Sequence, residues 1–226
     1  MDNGLTAWEK NAEFWDEFMG ADSNNFHKNL VRPYVTKLLN IENGDLILDI
    51  ACGNGNYSEY MVQQGAKVDA FDYSEKMIHL AIKRRKSFLD RIEFNVCDAT
   101  QYKQLLKLKR DRSYNKAVAN MAIMDIADIK PLFSALKALL HKDGIFVFAT
   151  HHPCITYPNN DYFTNAIQKG IAIPDQPVLQ NYYHRSIQDI FNIAFENGFI
   201  VDGFYEVPLD SEKTPIIMVV RLKLIN

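Results

Sequence analysis

Apolar residues along this chain fall into short unbroken runs, set apart by longer stretches with helical spacing. The runs 46–50, 67–71, 92–96, 116–121 and 145–149 are nearly continuously apolar, as strands covered on both faces should be. Between them, 57–64, 75–88 and 129–140 repeat apolar positions three and four apart, which predicts amphipathic helices. Ser74 stands where an N-cap would begin the second of these, and Gly65 closes the first. The first 40 residues read as two helices. One carries Trp8, Phe14, Trp15, Phe18 and Met19, the other Leu30, Tyr34, Val35, Leu38 and Leu39, and the polar link 20–25 separates them. Strands alternating with helices over short connections predict a parallel sheet with helices on both faces.

After Thr150 the rhythm breaks. Residues 151–177 hold Pro153, Pro158, Pro174 and Pro177 among polar positions, a stretch too long for an ordinary connection and of the kind that is functional or disordered. Regularity returns with a helix over 186–197, closed by Gly198, and two apolar runs at 199–207 and 216–224. The short link between those runs predicts an antiparallel pair.

With 226 residues, 47% hydrophobic and 23% charged, the chain is expected to form a single domain, 1–226, with a sizeable core. A net charge of −3 lacks the basic footprint of a nucleic-acid binder. The run Lys83-Arg84-Arg85-Lys86 is read as a solvated helix face. Cys52, Cys97 and Cys154 are odd in number and have no metal-ligand spacing, so a reducing, cytoplasmic setting is expected. No stretch resembles a signal-peptide core or a membrane span.

The chemistry gathers where strands end. The segment 46–58, LILDIACGNGNYS, runs from a strand through Gly53-Asn54-Gly55 into a helix. Glycines in such a turn let backbone approach a ligand, because no Cβ intervenes. Asp72 follows 19 residues after Gly53, at the tip of the next strand, where an acid can accept both hydroxyls of a ribose. Asp98 follows the third strand, Asn120-Met121 the fourth and His151-His152 the fifth. Two acids after successive strands suit a ligand with a ribose and an exocyclic amine. A dinucleotide is the rival. Its G-x-G-x-x-G/A fingerprint needs a small residue where Ser58 stands, and Asp49 lies where its pyrophosphate would approach.

At these residues the chain resembles a class I S-adenosylmethionine-dependent methyltransferase of small molecules. The resemblance spans 46–224 and rests on LDIACGNG, VDAFDYSEKM, CDA, NMAIMDI and KDGIFVFATHHPC. It implies a Rossmann-like, doubly wound α/β fold: a seven-stranded, mostly parallel sheet with an antiparallel last strand, plus N-terminal helices. It also implies S-adenosyl-L-methionine as cofactor. Ala51, Gly53 and Gly55 would form the loop under its methionine and ribose, with Asp49 ordering that loop. Asp72 would hold the ribose. Tyr73 and Met77 would flank the adenine, Asp98 and Ala99 would bond it, and Asn120 and Met121 would line the methyl-donor end. Arg32, near Asn29 in a helix that often closes over the cofactor, would pair the cofactor's carboxylate. The chain departs from the family pattern at three places: Asn56 or Tyr57 replaces a third glycine, Asn115 an acid opening the fourth strand, and Lys142-Asp143-Gly144 a P-G-G turn.

The sulfonium carries its own leaving group, so the protein must chiefly align nucleophile, methyl and sulfur. His151 and His152 are the candidate bases, with one of the pair expected to point into packing or to cap the loop before Pro153. Tyr182-Tyr183-His184-Arg185 is a second candidate, as a substrate wall. Residues 1–42 are expected to act as a helical lid and 151–185 as a substrate-side insertion. The expected partner is a small-molecule methyl acceptor, with no nucleic acid, membrane or metal, in a monomer or homodimer. An NAD-dependent oxidoreductase and a non-catalytic S-adenosylmethionine-binding protein are the alternatives. The pattern does not identify the acceptor, or whether O, N or C is methylated.

Overall fold

A computed structural model describes residues 3–157, 161–209 and 213–225. Seven strands make the main sheet: β1 (Leu46–Ile50), β2 (Lys67–Asp72), β3 (Ile92–Val96), β4 (Tyr114–Asn120), β5 (Leu140–His151), β8 (Phe199–Pro208) and β9 (Pro215–Leu224). Their order is β3-β2-β1-β4-β5-β9-β8. The first five pair in parallel, while β9 lies antiparallel between β5 and β8. The expected seven-stranded, doubly wound sheet with an antiparallel last strand is therefore present. The order reverses between β1 and β4, so a crevice opens beyond their carboxyl ends.

The pleat explains why the strands read as apolar on both faces. Ile47, Val68, Val118, Val147 and Val219 pack against α2 (Arg32–Leu39) and α3 (Asn56–Gln63), through Val35, Leu38, Met61 and Val62. Leu48, Ala117, Phe146, Phe148 and Val220 face the other way. They pack against α6 (Lys130–Leu139) and α7 (Ile187–Glu196), through Leu132, Phe133, Leu136 and Ile190. Each fully buried large side chain here stabilises the fold by roughly 1.5–3 kcal/mol. Ser74 caps α4 (Glu75–Arg84) as its position predicts, accepting from Met77 N at 3.1 Å. Asn115, standing where the family has an acid, accepts from Leu46 N at 2.8 Å and anchors the start of β1.

Helix α1 (Asn3–Met19) lies across the carboxyl end of the sheet, held by polar contacts the sequence did not disclose. Asp16, buried on α1, accepts from Asn54 Nδ2 at 2.9 Å and from Arg84 Nη2 at 2.8 Å. Arg85 is buried as well. It donates to Asn54 O at 3.2 Å and Ala21 O at 3.0 Å, and pairs with Glu59. Three of the four basic residues, Lys83, Arg84 and Lys86, are exposed as a solvated face would be, while Arg85 is buried, and the two arginines tie α1 and the turn after β1 to α4.

The stretch after β5 also departs from expectation. It is a second, two-stranded sheet, β6 (Ala166–Gly170) against β7 (Gln180–His184), with the pairing running from Ala166↔His184 to Gly170↔Gln180. Its strands are half polar and joined by the Pro-containing segment 171–179, so no two-residue turn advertised it. Pro158 lies outside the described residues. A short helix, α5 (Tyr102–Leu105), was not anticipated either, being too brief to show a period.

Candidate active site

A cavity of about 450 Å³ opens beyond the tips of β1, β2 and β4. It is bounded by α1, by the π-helical turn Phe26–Val31 that leads into α2, and by the segment joining β6 to β7. Twelve of the residues singled out from the sequence line it: Arg32, Asp49, Ala51, Gly53, Asp72, Tyr73, Met77, Asp98, Ala99, Asn120, Met121 and His151. Gly55, His152 and Asn29 do not line it.

Gly55 sits behind the turn. Its φ is +74°, and a Cβ there would meet Phe94 Cζ at 2.9 Å. It is packed between the start of α3 and β3, outside the cavity lining. Gly53, with φ +56°, has only Trp15 Nε1 near its missing Cβ, at 3.9 Å, and it faces the cavity.

His152, the first residue after β5, is turned to the opposite side from His151, as the alternation of a strand sets up at its end. Its Nδ1 accepts from Cys154 N at 3.1 Å, so the ring proton is on Nε2 and is directed at Glu206 Oε1, 2.9 Å away. It is the member of the pair that caps the loop at Pro153. His151 alone reaches the cavity, its ring centroid 5.2 Å from that of Tyr182. Burial holds the His151 ring below the ordinary histidine range, so it is neutral at neutral pH.

The strand-tip side of the cavity is built mostly by backbone geometry. Asp72 accepts from Gly53 N and from Ser74 N, each at 3.0 Å. Its carboxylate thereby fixes the glycine turn while its edge faces the cavity. Burial pushes Asp72 up to about 6, against the pull of those N–H groups. Asp49 accepts from Ser58 Oγ at 2.5 Å, and burial pushes it up to about 7. Asp98 accepts from Thr100 N and Oγ1, each at 2.8 Å. Ala51 and Met121 both have left-handed backbone, φ +52° and +56°. Non-glycine residues in that region cost of order 1 kcal/mol and cluster at functional turns, and these two stand at the tips of β1 and β4.

Polar atoms without partners mark what a ligand would satisfy. Among the described residues, the cavity-lining Asn56 Nδ2, Asn120 Oδ1 and Gln180 Oε1 are buried with no hydrogen-bond partner. Asn56 is the first residue of α3, where a donor suits a carboxylate. Asn120 offers an acceptor suited to an ammonium group. Arg32 lines the cavity too, but pairs with Asp22 at 3.3 Å and lies 5.1 Å over the Tyr60 ring. Asn29 is exposed and outside the cavity.

The far side was largely invisible in the sequence. Asp125, on the turn after β4, and Gln180, on β7, meet there, with Gln180 Nε2 donating to Asp125 Oδ1 at 3.2 Å and to Tyr182 Oη at 3.1 Å. Burial holds Asp125 well above the usual carboxylate range. Of the proposed wall, Tyr182 reaches this cavity. Arg185 instead binds the carbonyls of Ile126 and Ala127 at 2.6 and 2.7 Å, fastening the turn that carries Asp125. His27, also missed, lines the cavity beside Trp15, with ring centroids 6.2 Å apart. Burial, with Arg32 and His151 adding, lowers His27 to about 4.

With the geometry in view, comparison with known proteins decides the family. The methyltransferase-domain profile matches residues 41–194. The chain belongs to the methyltransferase-domain family. It is 27% identical over 145 residues to phosphoethanolamine N-methyltransferase 1 of Zea mays, a match covering 64% of this chain and 28% of the relative. It is 27% identical over 153 residues to a ubiquinone biosynthesis O-methyltransferase of Pasteurella multocida, covering 65% and 63%. The chain thus spans less than two thirds of the length of these relatives. An S-adenosylmethionine-dependent methyltransferase of Clostridium acetobutylicum superposes with a TM-score of 0.65 at 18% identity, covering 97% of this chain and 99% of that one. That likeness is one of fold. The methyltransferase match covers the sheet's parallel half, the turn after β1 and the residues at every parallel strand tip. Among the described residues no helix is long and apolar enough to cross a membrane.

Proposed function

We propose that this methyltransferase binds S-adenosyl-L-methionine in the cavity and transfers its methyl group to a small-molecule acceptor by in-line displacement. The observation that carries the reading is the convergence of Gly53, Asp72 and Asp98 on one cavity at the reversal of strand order. When bound, the cofactor supplies an electrophilic methyl on a sulfonium whose leaving group is a neutral thioether. The residues present fit it. Asp72 would accept the ribose hydroxyls, with Tyr73 and Met77 along the adenine and Asp98 and Ala99 at its edge. The buried orphan atoms Asn56 Nδ2 and Asn120 Oδ1 suit the carboxylate and ammonium of its amino-acid end, with Arg32 nearby.

The acidic lining favours a cationic ligand over the pyrophosphate of NAD, which would meet Asp49 and Asp72. His151 would take the acceptor's proton when the nucleophile is a hydroxyl, since a neutral imidazole is the form that can receive one. Helix α1 and the β6–β7 sheet would close the reaction off from water.

Isothermal titration with S-adenosylmethionine, S-adenosylhomocysteine and NAD tests the cofactor. Sulfonium and thioether ligands are expected to bind, and NAD is not. Tight NAD binding without S-adenosylhomocysteine binding would overturn the reading. Release of S-adenosylhomocysteine across a metabolite panel then separates an active enzyme from a binding protein.

A further inference from the structure

The cofactor-facing acids leave one carboxylate uncommitted. Asp125 lies on the turn after β4, beside the β6–β7 sheet, and the apolar Met124, Ile173 and Pro174 line the same cavity. Its neighbour Gln180 is 99% buried, yet its Oε1 has no partner while its Nε2 is already spent on Asp125 and Tyr182. The side chain's orientation is therefore fixed with a bare acceptor left over. A carboxylate and an amide oxygen side by side call for a group with at least two N–H donors.

Charge points the same way. Among the described lining residues the acids are Asp49, Asp72, Asp98 and Asp125 and the one arginine is Arg32, itself paired with Asp22; burial raises Asp49, Asp72 and Asp125, so an arriving cation is what would hold Asp125 in its ionised form. His27 and His151 add no positive charge at neutral pH, because burial lowers both. A carboxylate- or phosphate-bearing acceptor would be desolvated here without a free cation.

We infer that the acceptor carries an ammonium group on an apolar body, and that Asp125 and Gln180 Oε1 bind that ammonium. The inference rests on the methyl-transfer reading of the same cavity and specifies its substrate class. The ammonium is a handle for recognition. Its ion pair with Asp125 forms where water is excluded, the condition under which removing one partner is costly.

The protein saturated with S-adenosylhomocysteine is titrated with three probes of similar body: 2-phenylethylamine, 2-phenylethanol and 3-phenylpropanoate. The amine is expected to bind at least about tenfold more tightly than the alcohol, and the acid more weakly still. Asp125→Asn is expected to remove about tenfold or more of the amine's affinity while S-adenosylhomocysteine binding stays within about twofold. Should that variant also weaken S-adenosylhomocysteine, Gln180→Leu decides by the same criterion. Equal or tighter binding of the alcohol or acid, no amine binding at millimolar concentration, or unchanged amine affinity in the deciding variant overturns the inference. Failure of the native protein to bind S-adenosylhomocysteine overturns the methyl-transfer reading instead.

Discussion

The two sides of the cavity are made differently. On the strand-tip side, cavity-lining groups sit within a few residues of strand ends, held by backbone: Asp72 grips Gly53 N and Ser74 N, and Ala51 and Met121 take left-handed turns. On the side covered by the β6–β7 sheet, Asp125 and Gln180 meet across 55 residues of chain, and side chain holds side chain. The first side is a property of the sheet. The second is a property of what packs over it. A fold can therefore keep one ligand while changing the other, since residues on the packing elements vary without disturbing strand ends.

The comparison breaks most sharply at Asp72. Replacing it by Ala removes its bonds to the turn together with those proposed to ribose, and S-adenosylhomocysteine affinity is expected to fall about 100-fold, near 3 kcal/mol. Calorimetry on a variant with native circular dichroism checks this, and a loss under about threefold would refute the ribose assignment.

The two glycines of the turn sharpen it next. Gly55→Ala drives a Cβ into Phe94 and is expected to cost about 2–3 kcal/mol of unfolding free energy. Gly53→Ala meets only Trp15 Nε1 at an ordinary contact distance and should cost about 1 kcal/mol, from its φ, while weakening the cofactor. Urea denaturation of both reads the difference, and equal losses would contradict the packing role given to Gly55.

The paired histidines divide the same way. His152→Ala loses the bonds to Glu206 and Cys154 N, and should lower stability by about 1–2 kcal/mol with S-adenosylhomocysteine binding intact. His151→Ala should leave stability within about 0.5 kcal/mol and act on turnover. Thermal melts alongside titration would show whether the pattern is reversed.

The smallest effect is a pH dependence. Asp49 is raised to about 7 in the folded protein from 3.8. Between these values the unfolded chain has released a proton that the folded chain retains, so rising pH favours unfolding until both forms are ionised above about 7. Asp49→Asn has no such proton, and its advantage over the native protein should widen by of order 1 kcal/mol between pH 6 and 7.5. Melts across that range test the sign, and a constant difference would mean Asp49 is not held protonated by burial.

Much of this was legible beforehand where physics is local. A buried parallel strand needs a continuous apolar run, a close ligand approach needs glycine, and Ser74 caps α4 through its own Oγ three residues on. Arg85 shows where such reasoning stops. Its four-residue basic run looks solvated in one dimension, yet its guanidinium is buried against Asn54, Ala21 and Glu59 from three other segments.

The chain's own order of residues determined the alternating fold, the turn at Gly53 and the acids at successive strand tips, because each depends on neighbours a few positions away. Tertiary structure alone decided that Gly55 packs while Gly53 faces the cavity, that His151 and not His152 enters it, and that Asp125 meets Gln180. Those outcomes turn on which face of a strand a residue presents and which distant element lies against it, and neither is set until the sheet has formed and its covering segments have packed.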